Sequence, residues 1–317
     1  MFAVELSSYN NFKDSVILSN NESGTTVVVV PSCGAILNAF NILVDNKVVN
    51  IIDSYLSEED FKQNVTSAGF KGAKLSPFVC RMKRGEYHFG ENKYSIEKFY
   101  LQKHAIHGLL FDKSFNVIDS GFNMHGAYVS LRYSYRADDA GFPFDYDCII
   151  NYKLEVNNKL TVETKIINKD KGLIPVQDGW HPYFTLGKKI DVLQLEFQSK
   201  EILDFDDELI PTGSTKPYHR FQSIANIGST QFDNCFLLNF SDCQPMCLIR
   251  DPEKKINIEI HPGKEYPYLQ IYTPPHRNSI AIENLSGPPD GFNNGIGLKV
   301  LQPGESALFT TSFKITN

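Results

Sequence analysis

Arginine, tryptophan and long apolar runs are all scarce in this chain of 317 residues. The seven arginines (Arg81, Arg84, Arg132, Arg136, Arg220, Arg250 and Arg277) offer little material for a phosphate clamp. Lysine and arginine number 31 against 37 acidic residues, and a net charge of −6 argues against nucleic acid or an anionic membrane as partner. The apolar segment Thr25 to Pro31 is far too short to span a bilayer. Met1-Phe2-Ala3-Val4-Glu5 has no basic region followed by an apolar run, so no signal peptide is expected and the cytoplasm is the expected compartment. Six cysteines are scattered at 33, 80, 148, 235, 243 and 247. Cys243 and Cys247 have a spacing that begins some metal sites, but no partner pair follows, and buried thiols in a reducing compartment are the better reading. G-x-S-x-G, the P-loop, H-E-x-x-H and the Rossmann glycine fingerprint are all missing, so neither a metal nor a cofactor is expected.

Aromatic residues are plentiful: 23 Phe and 15 Tyr join many Val, Ile and Thr, a composition that favours strands. Thr25–Val30 reads as a buried strand. Period-two alternation marks Tyr128–Tyr135, Tyr146–Glu155 and Leu160–Ile167, the last two separated by a turn at Val156–Lys159. It returns at Leu193-Leu195-Phe197, Ile256-Ile258-Ile260, Leu269-Ile271 and Ile280-Ile282. Gly90-Glu91-Asn92 reads as a short hairpin turn. Helical signal is weak outside Leu56–Gln63, where Ser57-Glu58-Glu59-Asp60 resembles a first turn. Many strands with turn residues between them, and no linker or fixed-period repeat, predict an all-β chain: a large antiparallel β-sandwich or barrel, with residues 1–317 as one domain.

Trp180-His181-Pro182-Tyr183-Phe184 joins the only tryptophan to a histidine and two further aromatics. Flat aromatic faces suit the C–H faces of a pyranose, and histidine exchanges a proton near neutrality. Read alone, such a histidine is more often a packed or surface residue. Ile106-His107-Gly108 places a second histidine before a glycine that permits a tight turn, yet His125-Gly126 repeats the dipeptide in what reads as an ordinary hairpin. Glu283 ends an apolar strand and is either its solvent-facing member or a carboxylate held inward. Arg81, Asp233 and Gln270 sit in otherwise apolar sequence, and each also admits a structural role as ion-pair partner, turn residue or exposed amide.

The order of these segments resembles the aldose 1-epimerases, or galactose mutarotases, from about residue 20 onward. Cys80-Arg81-Met82-Lys83-Arg84-Gly85 stands where the family has an asparagine-arginine segment, with cysteine in place of asparagine. His107-Gly108, Trp180–Phe184 (tryptophan in place of asparagine), Phe232–Phe236, Gln270–Thr273, Glu283 through Pro289-Asp290 and Asn293, and Leu301–Glu305 follow in the family's order. The resemblance implies a galactose mutarotase-like supersandwich that interconverts α and β anomers of a free aldohexose without a cofactor. It implies Glu283 as base, His181 as acid to the ring oxygen and His107 as a polarising donor. Arg81, Asp233, Gln270, Trp180 and Tyr183 would bind the sugar, the only partner expected of a monomer or homodimer. The rivals are a hexose-6-phosphate 1-epimerase on the same fold and a non-catalytic carbohydrate-binding protein.

Overall fold

A computed structural model describes residues 1–241 and 244–317. The strand-favouring composition is realised almost throughout: among the described residues the two α-helices are the short Glu58–Asn64 and Gly291–Asn294. Five antiparallel strands, Phe2–Tyr9, Phe12–Asn20, Thr25–Val30, Ile36–Val44 and Lys47–Asn50, form an N-terminal sheet in chain order. The first two strands precede the point where alternation becomes readable. Phe2–Tyr9 is an outer strand with much of its length exposed, so apolar residues do not alternate cleanly along it.

A nine-stranded sheet runs in the spatial order Asn116–Asn123, Gly126–Tyr135, Tyr146–Glu155, Lys159–Asn168, Ser306–Thr316, Ile256–Pro262, Cys247–Asp251, Gln194–Phe197 and Ala225–Asn226. Its burial follows the period of two, as in Ile256–Pro262, where buried and half-buried residues alternate without interruption. Ser306–Thr316 lies mid-sheet between Lys159–Asn168 and Ile256–Pro262, joining strands from both halves of the sequence.

A third sheet, here called the cavity sheet, has the order Pro211–Pro217, Ser199–Phe205, Asp233–Leu238, Tyr268–Tyr272, Ile280–Leu285, Gly179–His181 and Ala73–Leu75, with Tyr183–Phe184 also paired to Ile280–Leu285. One of its faces packs on the nine-stranded sheet. Phe184 meets Phe313 edge-on with ring centroids 5.4 Å apart, and Tyr266 stacks on Phe309 at 5.6 Å. Thr311 Oγ1 donates to Asn284 Oδ1 at 2.7 Å across the same interface. The all-β sandwich expected from the sequence is the architecture observed.

Local signals hold as well. Ser57 caps the helix Glu58–Asn64 by accepting from the Asp60 amide at 2.9 Å, and Phe61 anchors it to the core. The chain leaving this helix, Thr66 to Phe70, becomes one wall of the cavity described below. Cys33, Cys80, Cys148, Cys235 and Cys247 are free and buried, whereas Cys243 lies outside the described residues. No helix among the described residues is long and apolar enough to cross a membrane.

Beneath the cavity lies a fully buried ion pair. Lys74 Nζ donates to Asp178 Oδ1 at 2.5 Å and to the Gly179 carbonyl at 3.1 Å, and it sits 4.4 Å from the centre of the Trp180 ring. Tyr266 gives its hydroxyl proton to the same Asp178 oxygen. Two charges removed from water are tolerable only with such a set of partners, and deleting one leaves the other stranded. Lys74→Met should therefore cost about 3–5 kcal/mol of unfolding free energy, with Lys74→Met/Asp178→Leu restoring part of it. Chemical denaturation of the three proteins checks this; equal stability of Lys74→Met and the parent would show that the pair contributes nothing.

Candidate active site

Strand register gathers the site. Asp233 pairs with Tyr272, Cys235 with Gln270, Gln270 with Glu283 and Tyr272 with Ala281, so Asp233, Gln270, Tyr272 and Glu283 share one face of the cavity sheet. That face floors a cavity of about 290 Å³, near the lower end of the roughly 300–1,000 Å³ of small-ligand sites. Arg81, His107, His181, Asp233, Gln270 and Glu283, all singled out in the sequence, line it together. Tyr183, from the same reading, also lines it; its ring stacks on His181 with centroids 5.2 Å apart and planes 10° off parallel. The Tyr183 hydroxyl donates to the Gly69 carbonyl at 2.9 Å, tying the imidazole's support to the cavity wall.

Trp180 is a correction. The sequence reading placed its indole against the sugar, but Trp180 is absent from the cavity lining and its ring covers the Lys74 ammonium. The reason is phase. Trp180 pairs with Asn284, whose side chain faces the nine-stranded sheet, so the next residue, His181, takes the opposite face.

Glu283 resolves the other way. All six residues of Ile280–Leu285 are buried, because one face packs on the nine-stranded sheet and the other looks into the cavity. Its carboxylate is only 2% exposed. His107 adopts φ +62° and is followed by Gly108 at φ +75°, where an added Cβ would stand 2.2 Å from the Ser76 carbonyl oxygen. Its amide donates to the Cys80 carbonyl at 2.9 Å, which aims the imidazole inward. His125, by contrast, sits exposed between the strands Asn116–Asn123 and Gly126–Tyr135, as expected of the hairpin dipeptide.

Arg81 is held from behind. Asp290 N donates to the Arg81 carbonyl at 2.6 Å, and Asp290 Oδ1 accepts from Lys83 N at 2.8 Å and from Asn293 Nδ2 at 2.7 Å. Asp290 and Asn293 therefore brace this segment. Cys80, Phe70 and Tyr272 also line the cavity and were not chosen from the sequence as site residues. Tyr272 was within reach, since it shares the phase of Gln270; Phe70 follows a helix in a loop, where no period applies.

His181 Nε2 lies 3.4 Å from Glu283 Oε1, and the His107 and His181 rings meet edge-on at 4.9 Å. Burial pushes the Glu283 carboxyl well above the usual carboxylate range, Asp233 adds to the rise, and the Arg81 guanidinium opposes it. Burial takes His181 down to about 3 and His107 well below the ordinary imidazole value. With burial holding both groups toward their neutral forms, the pair carries one proton between them, on the Glu283 carboxyl. Across the cavity, Gln270 Nε2 donates to Asp233 Oδ1 at 3.0 Å, leaving the buried Gln270 Oε1 without a partner. Such an array can move protons at two points of a bound polar ring and hold its hydroxyls. Atoms of Cys80, His107 and Glu283 also lie within 4.8 Å of one another, a spacing relevant to a metal ion.

The family model for aldose 1-epimerase matches residues 14–314, and the chain belongs to that family. It is 24% identical to an aldose 1-epimerase of Streptococcus thermophilus over 96% of this chain and 94% of the relative. It is also 25% identical to the protein YihR of Escherichia coli (strain K12) over 74% of this chain and 75% of that one. Among solved structures, a galactose mutarotase-like protein of Clostridium acetobutylicum superposes with a TM-score of 0.86 at 18% identity, covering 100% of this chain and 98% of the other. A galactose 1-epimerase of Lactobacillus acidophilus gives 0.81 at 19%, with the same coverage.

Burial of Glu283 has a measurable sign. Its carboxyl binds a proton more tightly folded than unfolded, so the associated stability is complete below the ordinary carboxylate pKa and is lost as pH rises through the folded value. Glu283→Gln carries no such penalty. Its gain in melting temperature over the parent should widen between about pH 5 and pH 8. A gain that stays flat or shrinks over that interval would contradict the raised carboxyl.

Proposed function

We propose that this member of the aldose 1-epimerase family is a mutarotase that interconverts the α and β anomers of a free aldohexose by acid–base ring opening. The observation that carries the reading is the buried His181–Glu283 pair, 3.4 Å apart, in one cavity with hydroxyl-binding groups. In the tautomer that carries the pair's one proton on His181, the Glu283 carboxylate takes the proton from the C1 hydroxyl while the imidazolium gives one to the ring oxygen. The C1–O5 electron pair leaves with O5, and O1 becomes the aldehyde oxygen. Rotation about C1–C2 presents the other carbonyl face, and closure returns each proton to its donor. The pair needs one proton between its two groups, no more and no less.

His107, kept neutral by burial, donates a hydrogen bond that polarises the same region. Arg81, Asp233 and Gln270 hold hydroxyls, and the unpartnered Gln270 Oε1 is an acceptor awaiting one. Tyr183 supplies the ring face that Trp180 does not. Acid–base chemistry alone completes the cycle, which supports a cofactor-independent enzyme; one domain over residues 1–317, a monomer or homodimer and a cytoplasmic location are proposed with it. Against a 6-phosphate substrate, Arg81 is the one lysine or arginine among the described residues lining the cavity, and it faces Asp233 and Glu283.

Polarimetry of freshly dissolved α-D-glucose, α-D-galactose and their 6-phosphates tests the assignment. Catalysed mutarotation of a free aldose is expected; uncatalysed rates with every sugar would reduce the protein to a binding module, and preference for a phosphate would select the rival enzyme. Glu283→Gln and His181→Asn should each lower turnover by about 10²–10⁴-fold, and the double variant by less than the product. His125→Asn should stay within about twofold. In the parent, kcat/KM should fall as alkali strips the pair of its single proton, at a pH above the ordinary carboxylate range. An alkaline limb that His181→Asn leaves unmoved would separate that proton from the pair.

A further inference from the structure

Cys80 has no part in the proton transfers above, yet its thiol sits 4.0 Å from Glu283 Oε2 inside the same cavity. One ligand atom each from Cys80, His107 and Glu283 falls within a 4.8 Å cluster, and all three residues are more than nine-tenths buried. Two ligands bonded at about 2.0–2.3 Å to one tetrahedral ion stand roughly 3.5 Å apart, so modest side-chain movement closes the cluster to bonding distance. The backbone bond from His107 N to the Cys80 carbonyl already fixes two of the three relative to each other. His107 Nδ1 is buried with no partner.

We infer that Cys80, His107 and Glu283 form an inhibitory binding site for a thiophilic divalent cation such as Zn²⁺ or Cd²⁺. A thiolate beside an imidazole and a carboxylate selects borderline or soft ions over Mg²⁺ or Ca²⁺. Charge balances: with Asp233, the thiolate and the Glu283 carboxylate contribute three negative charges, offset by the dication and Arg81. On binding, the Cys80 S–H proton and the single proton of the His181–Glu283 pair both pass to solvent, and the freed sulfur and carboxylate lone pairs bond the metal. The inhibitory role rests on the proposed function, since the metal takes the lone pair that Glu283 needs to accept the C1 hydroxyl proton. Binding itself does not depend on that reading.

The full-length protein titrated with Cd²⁺ should take up one tight equivalent with an ultraviolet thiolate-to-metal charge-transfer band. Cys80→Ser should abolish the band, and His107→Asn should weaken affinity by at least about tenfold, a loss reached even by removing a group that merely hydrogen-bonds to a ligand. Cys33→Ser, at a residue that does not line the cavity, should keep it. In polarimetry, Zn²⁺ should inhibit mutarotation and EDTA should restore it. A band that survives in Cys80→Ser, or no thiolate band in the parent, overturns the site. Circular dichroism checks each variant's fold; if Cys80→Ser misfolds, unchanged affinity in His107→Asn overturns it equally. Turnover unaffected at saturating metal removes the inhibitory role. Tight one-to-one binding by a protein that turns over no aldose upholds the metal site and refutes the mutarotase instead.

Discussion

His181 Nε2 and Glu283 Oε1 stand 3.4 Å apart with both side chains buried, and this contact governs what the surrounding structure must supply. A carboxyl and an imidazole in such a place both resist charging, so the pair keeps a single proton and can hand it in either direction. That property suits a reaction whose forward and reverse halves are mirror images. It also demands rigid support, because neither group has a solvent shell to fall back on. Tyr183 stacks on the imidazole, the Arg81 guanidinium opposes the carboxyl's rise, and Ile280–Leu285 is buried on both faces.

The cavity sheet separates two kinds of polar work on its two faces. Toward the nine-stranded sheet, Lys74 pairs with Asp178 beside Tyr266 and the Trp180 ring, and Asn284 accepts from Thr311, although Asp178 Oδ2, Trp180 Nε1 and Asn284 Nδ2 have no partner. Toward the cavity, which Asp233 and Glu283 also line, Gln270 Oε1 and His181 Nδ1 are without a partner. Because side chains alternate with a period of two, a slip of one residue in the pairing of Gly179–His181 with Ile280–Leu285 would send Trp180 into the cavity and His181 into the core. The Lys74–Asp178 pair adds a buried ionic contact that ties Ala73–Leu75 to the start of Gly179–His181 in this register.

This explains why the sequence was readable in some places and not in others. Strands such as Ile256–Pro262 announce themselves through their own alternation, and Ser57 with Asp60 marks the helix start through local capping chemistry. His181 and Glu283 were recognisable as residue types in a suggestive order, but whether Glu283 faced water depended on what lay across the sheet. Trp180 was misread for the same reason: its phase is set by a partner strand about a hundred residues away in sequence. Phe2–Tyr9 escaped notice because an outer strand need not be apolar. Phe70 and Cys80 reach the cavity from loops, where no periodicity exists to be read.

Backbone conformation around the cavity carries a further cost of function. Cys80, Arg84, His107 and Asp290 all adopt left-handed φ between +49° and +62° without being glycine. Each such residue costs on the order of 1–3 kcal/mol and persists only where its surroundings over-determine it. Here they do: the His107 amide is held by the Cys80 carbonyl, the Arg84 amide donates to His104 Nδ1 at 3.0 Å, and Asp290 is bonded to Arg81, Lys83 and Asn293. These bonds tie the loops bearing Arg81 and His107 to each other and to the segment after Glu283. These bonds thus fix Arg81, His107 and Glu283 relative to one another. A cavity floored by strands alone could place Asp233, Gln270 and Glu283, but it is the strained loops that bring Arg81 and His107 over them.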